Sequence, residues 1–124
     1  MASAAGYGLI RYTAFAVTRL RSRRRAIRRY ALNLPTAVAR TYGPLASLDA
    51  RAVSETLEAH KLGSEWDCFA YAMLLDERSF EERLLPVPDG ETYGTLRSEM
   101  LSYMGLSEGA SLAEILSFRK SKEP

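Results

Sequence analysis

Apolar residues recur at spacings of three and four along nearly the whole 124-residue chain, and no run alternates at a spacing of two for long enough to form a convincing strand. This pattern is typical of amphipathic helices, each of which must bury one face against the others. A chain of this length supports one domain with a substantial core. The sequence therefore predicts an all-α fold: a single compact bundle of five or six short helices with a basic amino-terminal helical arm.

The predicted arm covers residues 1–34, and the predicted α-helical domain covers residues 35–124. On a helical wheel, one apolar stripe of the arm contains Leu9, Thr13, Ala16, Leu20, Ile27, Ala31 and Leu34. Arg23 projects into this stripe, so either its stem reaches out to solvent or the helix breaks near Ser22, and we favour the break. Pro35 marks the next expected boundary because proline disfavours helical angles in the residue before it.

Further helices are expected over residues 35–41, 49–61, 65–75, 79–85 and 92–104, and from 111 onward. Ser64 with Asp67 and Ser111 with Glu114 have the spacing of capping boxes, and Gly63 is placed to end the helix before it. The helical spacing predicts a core built around Val53, Leu57, Phe69, Met73, Leu96, Met100, Ile115 and Leu116.

The sequence contains few side chains suited to nucleophilic catalysis or metal binding. Cys68 is the only cysteine and His60 the only histidine, which excludes an intrachain disulfide, a multi-thiolate zinc site and a multi-histidine metal site. We expect His60 to face inward and Cys68 to be a buried, inert thiol, since no third group is placed to orient a thiol–imidazole pair. The sequence therefore predicts a non-enzymatic protein with no cofactor and no metal site.

Charge is sorted along the chain. Residues 1–48 carry nine arginines and no acidic residue, whereas residues 49–124 carry 15 acidic residues against eight basic ones. The two parts thus carry about +9 and −7, although the net charge of the whole chain is only +2. This asymmetry indicates an anionic partner, or the acidic part of the chain acting as that partner.

The strongest local signal is a second stripe of the arm, which contains Arg21, Arg24, Arg25 and Arg28. Four guanidinium groups at this spacing are able to contact an anionic surface at several points. A phosphate backbone and anionic lipid headgroups are both candidate ligands, and the apolar side chains of residues 7–20 suit a helix in the lipid interface. No zinc-finger or ribonucleoprotein motif accompanies the stripe, and no uncharged run approaches the roughly 20 residues that a helix needs to span a bilayer.

One span resembles a known family. Tyr30 to Gly43 reads YALNLPTAVARTYG, and Trp66 to Met73 reads WDCFAYAM. These segments resemble a small bacterial domain family with no assigned function, in which a Leu-Pro…Tyr-Gly segment precedes two helices. The resemblance covers residues 30–75. It implies a bacterial cytoplasmic globular domain and no active site.

The leading prediction is an uncharacterised helical protein-interaction or regulatory module with an unknown protein partner and no evident small-molecule substrate. The alternative is a peripheral binder of anionic membranes or, without sequence specificity, of nucleic acid, through the arginine-rich arm. A second alternative is an organelle-targeted protein in which residues 1–30 are a transit segment, because they are rich in arginine and free of acidic residues. We expect a cytoplasmic location; the alternative is a cytoplasmic protein attached to a membrane surface.

Overall fold

A single long helix, α1, organises the fold, and five shorter helices pack against it and one another. The computed structural model describes residues 2–43 and 47–119, with side chains from Thr18 onward, so the predicted inward positions of Leu9, Thr13 and Ala16 lie outside the described side chains. The helices are α1 (Ala2–Tyr42), α2 (Ala50–Ala59), α3 (Asp67–Leu74), α4 (Glu77–Glu82), α5 (Tyr93–Met104) and α6 (Leu112–Leu116). No strand occurs in the described ranges, and the predicted all-α class is confirmed.

The 41 residues of α1 extend over about 60 Å at 1.5 Å per residue. The helix runs through both Ser22 and Pro35, so the predicted helix break near Ser22 and the predicted start of a separate helix at Pro35 are wrong. Pro35 lacks an N–H group, but its side chain is fully buried, and this packing offsets the missing hydrogen bond. Residues on both sides of position 34, among them Tyr30, Leu34 and Val38, belong to one core.

The contacts of Arg23 with the body of the protein explain why the helix continues through Ser22. Its Nη2 atom donates to Glu91 Oε1 at 2.8 Å and to Glu99 Oε2 at 2.6 Å, and its guanidinium group lies 4.9 Å from the centre of the Phe69 ring. Burial lowers the pKa of Arg23, but hydrogen bonds and charge from the two carboxylates outweigh it and leave the pKa raised. The cation is therefore held on the inward side of α1, with only 20% of its side chain exposed.

The starts of α2, α4, α5 and α6 follow the capping rules, whereas α3 begins after Trp66, whose side chain makes no cap hydrogen bond. Asp49 Oδ1 accepts a hydrogen bond from the Ala52 N–H group at 2.8 Å at the start of α2, and Ser111 Oγ accepts from the Glu114 N–H group at the start of α6. At the carboxyl end of α5, Gly105 adopts a left-handed conformation with φ of 73°. These ends lie close to where the sequence places them.

The connection between α2 and α3 differs from the sequence-based expectation. α2 ends at Ala59, and Lys61, not Gly63, adopts the left-handed conformation with φ of 54°. His60 is consequently the exposed C-cap residue, and its predicted inward position is wrong. Because α2 ends earlier than expected, residues 61–66 form a connection that reaches α1. There the Trp66 indole N–H group donates to Ser22 Oγ at 3.0 Å.

All eight residues of the predicted core are buried, which confirms that part of the prediction. α1 adds a row of buried side chains to this core: Ala26, Ile27, Tyr30, Ala31, Leu34 and Val38. Arg97 joins α5 to the end of α3 by donating to the carbonyl groups of Ala72 and Met73, which satisfies acceptors that a helix end leaves unpaired. Leu20, which the helical wheel places on the apolar stripe of the arm, is 52% exposed.

We expect Arg23→Met to lower the free energy of unfolding by about 2 kcal/mol, because it leaves the partly buried carboxylates of Glu91 and Glu99 without their shared cation. Urea unfolding followed by circular dichroism measures this change. The control is Arg24→Met on the exposed side of the same helix, for which the expected change is within about 0.5 kcal/mol. Equal losses in the two variants would contradict the anchoring role of Arg23.

Candidate functional site

The four arginines singled out by the sequence lie together on the outer side of α1. Arg21, Arg24, Arg25 and Arg28, here called the arginine stripe, are all exposed and follow one another at helical spacings of three, one and three residues. The stripe extends over about 10 Å of the helix axis. Within residues 18–43 and 47–119, no acidic side chain forms an ion pair with any of the four.

Two other arginines of α1 lie on the side that meets the acidic part of the chain. Arg19 Nη1 is 3.0 Å from Glu65 Oε2, and its guanidinium group lies 4.9 Å from the centre of the Trp66 ring. Arg23 makes the double contact with Glu91 and Glu99 described above. The arginines of α1 therefore fall into two groups: the inner ones bind the chain's own carboxylates, and the stripe pairs with no carboxylate of the described residues.

Arg29 extends the basic surface toward the connection between α2 and α3. It is exposed, and its Nη2 atom donates to the Lys61 carbonyl oxygen at 3.2 Å. Since this bond uses one of the five N–H groups of a guanidinium, Arg29 is held in place while still presenting donors to solvent.

A partly buried hydrogen-bond network around the Tyr30 hydroxyl supports this side of the stripe. The Tyr30 hydroxyl donates to Asp67 Oδ1 at 2.8 Å and lies 2.7 Å from Ser64 Oγ. Burial raises the pKa of Tyr30 well above its ordinary value; the hydrogen bond with Ser64 opposes this rise, and the Asp67 carboxylate adds to it. Tyr30 is thus a neutral donor that fixes the connection between α2 and α3 against α1.

The structure does not bring His60 and Cys68 into a catalytic arrangement. His60 is exposed at the end of α2, whereas Cys68 is buried within α3. Burial raises the pKa of the Cys68 thiol to about 11, because the thiolate would lose its hydration. This thiol is protonated at neutral pH.

The described residues contain no group of three or more His, Cys, Asp and Glu side chains placed to hold a metal ion. None of the helices, over the same residues, joins the length and the apolar composition that crossing a bilayer requires.

Sequence reasoning missed the acidic partners of the inner arginines and the role of Trp66. The inward position of Arg23 on the helical wheel was a usable signal, since a cation on an apolar stripe needs either an exit or a partner. Its partners were out of reach of a local pattern, because Glu91 and Glu99 lie 68 and 76 residues further along the chain.

Comparison with known proteins gives one match. No curated protein and no solved structure matches the chain. Residues 17–122 match the family described as "Family of unknown function (DUF6559)", a range that includes the arginine stripe and helices α2–α6. The predicted resemblance to a family of no assigned function is confirmed. On the extent of this match, the chain belongs to DUF6559.

Proposed function

We propose that this protein is a non-enzymatic protein-interaction module, which binds an acidic surface of a partner protein through Arg21, Arg24, Arg25 and Arg28. The observation that carries the proposal is the contrast between the two sides of α1. The inner arginines, Arg19 and Arg23, have carboxylate partners within the chain, whereas the stripe has none among the described side chains.

A rigid helix makes these four guanidinium groups an effective binding surface. Their spacing is fixed by the backbone of α1, which is anchored to the body by the buried row from Ala26 to Val38. Guanidinium groups pair with carboxylates through two parallel hydrogen bonds, and a pre-positioned set loses less entropy on binding than a mobile tail.

The size of the stripe favours a protein over an extended polyanion. A bilayer or a nucleic-acid duplex carries negative charge over its whole extent, so its field would also repel the part of the chain that carries a net charge of about −7. A stripe about 10 Å long fits the smaller scale of an acidic patch on a protein, where oppositely charged surfaces guide association and specificity.

The absence of a catalytic role is supported by the chemistry of the two reactive side chains. The Cys68 thiol is buried with a raised pKa of about 11, and the exposed His60 has no neighbouring nucleophile in the described contacts. A free thiol as the only cysteine also favours a reducing compartment such as the cytoplasm. A transit segment of residues 1–30 is disfavoured, because its removal would delete Ile27 and Tyr30 from the core.

A peripheral membrane attachment is the second candidate, and the exposure of Leu20 favours it. This leucine is 52% exposed immediately before the stripe, in a segment whose sequence from residue 7 to residue 20 is rich in apolar residues. Apolar side chains beside a basic stripe are typical of helices that bind anionic lipid surfaces.

We expect Arg24→Glu combined with Arg28→Glu to weaken binding to poly-L-glutamate at low salt at least tenfold, about 1.4 kcal/mol, because both attractive charges become repulsive. The matched control is Arg51→Glu combined with Arg78→Glu, which changes the net charge equally at side chains 85% and 90% exposed on the acidic body. The control should weaken binding less than about threefold. Titration calorimetry measures both affinities.

The outcomes separate the candidate partners. Equal weakening by the two pairs of substitutions would mean that net charge, and not the stripe, drives binding, which contradicts the proposal. Co-sedimentation with vesicles of phosphatidylcholine and phosphatidylserine, without binding to poly-L-glutamate, would favour the membrane candidate. Salt-sensitive retention on duplex DNA alone would favour nucleic acid.

We expect Cys68 to react with iodoacetamide at pH 7.5 at least about 100-fold more slowly in the folded protein than in guanidinium chloride, because a rise in pKa from 9.0 to about 11 depletes the thiolate by that factor. Mass spectrometry of quenched samples gives both rates. The raised pKa also means that the neutral thiol's contribution to stability is full below pH 9 and is lost as the pH rises toward 11. Comparable rates in the two solvents would contradict a buried thiol.

A further inference from the structure

A small cleft lies beside the arginine stripe, between α1 and the connection from α2 to α3. Its volume is about 170 Å³, and Ser22, Arg25 and Arg29 of α1 face Ser64 and Trp66 across it. Sites that enclose a whole small-molecule ligand commonly measure about 300–1,000 Å³. This cleft therefore suits one charged group of a larger molecule.

Hydrogen-bond donors line the α1 side of the cleft. Ser22 Oγ accepts the Trp66 indole N–H group at 3.0 Å, and its own proton has no acceptor among the described residues. Arg25 is exposed without an ion pair in the same part of the chain, and Arg29 uses one donor on the Lys61 carbonyl group. One hydroxyl and two guanidinium groups are thus available at a single cleft.

The nearby acidic groups are already engaged. Asp67 Oδ1 accepts from the Tyr30 hydroxyl and from the Ser64 N–H group, both at 2.8 Å. The Tyr30 hydroxyl donates its only proton to Asp67. In the 2.7 Å contact between Tyr30 and Ser64, the Ser64 hydroxyl is therefore the donor and the Tyr30 oxygen the acceptor. Glu65 pairs with Arg19 at 3.0 Å. The ligand-facing groups that remain are donors, so the cleft is complementary to an oxyanion.

We propose that this cleft binds the phosphate group of a phosphorylated serine or threonine on the partner protein. A phosphate monoester presents three strong acceptor oxygens, which match the hydroxyl of Ser22 and the guanidinium groups of Arg25 and Arg29 in number. Guanidinium groups pair with phosphate through two parallel hydrogen bonds. This inference rests on the proposed function, which makes the partner a protein. Arg25 belongs both to the cleft and to the stripe. Phosphorylation of the partner then controls the strength of association.

The test uses Trp66, the only tryptophan of the chain, as a fluorescent reporter that lines the cleft. The full chain is titrated at constant ionic strength with a short Glu–Gly peptide that contains one central phosphoserine, and with the same peptide containing serine. We expect the phosphopeptide to bind at least tenfold more tightly and to change Trp66 emission saturably. Inorganic phosphate should produce the same change at higher concentration, and chloride should not.

Two cleft variants and one stripe variant separate the cleft from the stripe. Arg29→Gln should reduce the advantage of the phosphopeptide to less than about threefold, and Ser22→Ala should reduce it in the same direction. Since Ser22→Ala also removes the acceptor of the Trp66 indole, Arg29→Gln, at an exposed position, is the decisive variant. Arg28→Gln should weaken both peptides equally and keep their ratio.

Each result bears on one inference or the other. Equal binding of the two peptides, lost in the Arg24→Glu and Arg28→Glu double variant, would overturn the phosphate site and leave the proposed function standing. A phosphopeptide advantage that persists in Arg29→Gln would overturn the cleft as its location. Binding to vesicles that contain phosphatidic acid, abolished by Arg29→Gln and without any phosphopeptide advantage, would overturn the assignment to a phosphate carried by a protein.

Discussion

The contact of Arg23 with Glu91 and Glu99 is the constraint on which the rest of the structure depends. It places a cation of the basic amino-terminal helix against two carboxylates contributed by the loop before α5 and by α5 itself. The Phe69 ring lies beside the same guanidinium group, so the ion pairs also join α1 to the centre of the core. Because α1 is fixed in rotation by this contact and by the buried row behind it, the directions of its other side chains from Thr18 to Tyr42 are fixed as well.

That fixed rotation gives the arginine-rich segment two roles. Arginines on the inner side lie against acidic side chains and aromatic rings and hold the helix in place. Arginines on the outer side stay exposed on a rigid support, which is the arrangement that an anion-binding surface requires. The Ser22–Trp66 hydrogen bond lies at the border between the two sides and shapes the cleft where a phosphate group is proposed to bind.

Much of the fold was accessible from local sequence patterns, for physical reasons that particular residues illustrate. Phe69, Met73 and Ile115 were predicted to be buried because helical spacing assigns them to apolar faces, and they are buried. The expected helix start at residue 49 agrees with the hydrogen bond that Asp49 Oδ1 accepts from the Ala52 N–H group, a contact over only three residues. The candidate site was accessible only in part: spacing grouped the four outer arginines, but nothing local identified Trp66 or Ser64 as their neighbours.

What the sequence determined by itself is the set of short-range relations: the all-helical class, the main helix starts, the apolar faces and the grouping of Arg21, Arg24, Arg25 and Arg28 on one side. These follow from helical geometry and hydrogen bonds over three or four residues. The tertiary structure alone decided that α1 continues through Ser22 and Pro35, and that Arg23 is paired with carboxylates while the stripe has no such partner in the described part of the chain. The residues that decide these features lie tens of positions apart in the sequence, so their stabilising interactions form only when the chain has folded.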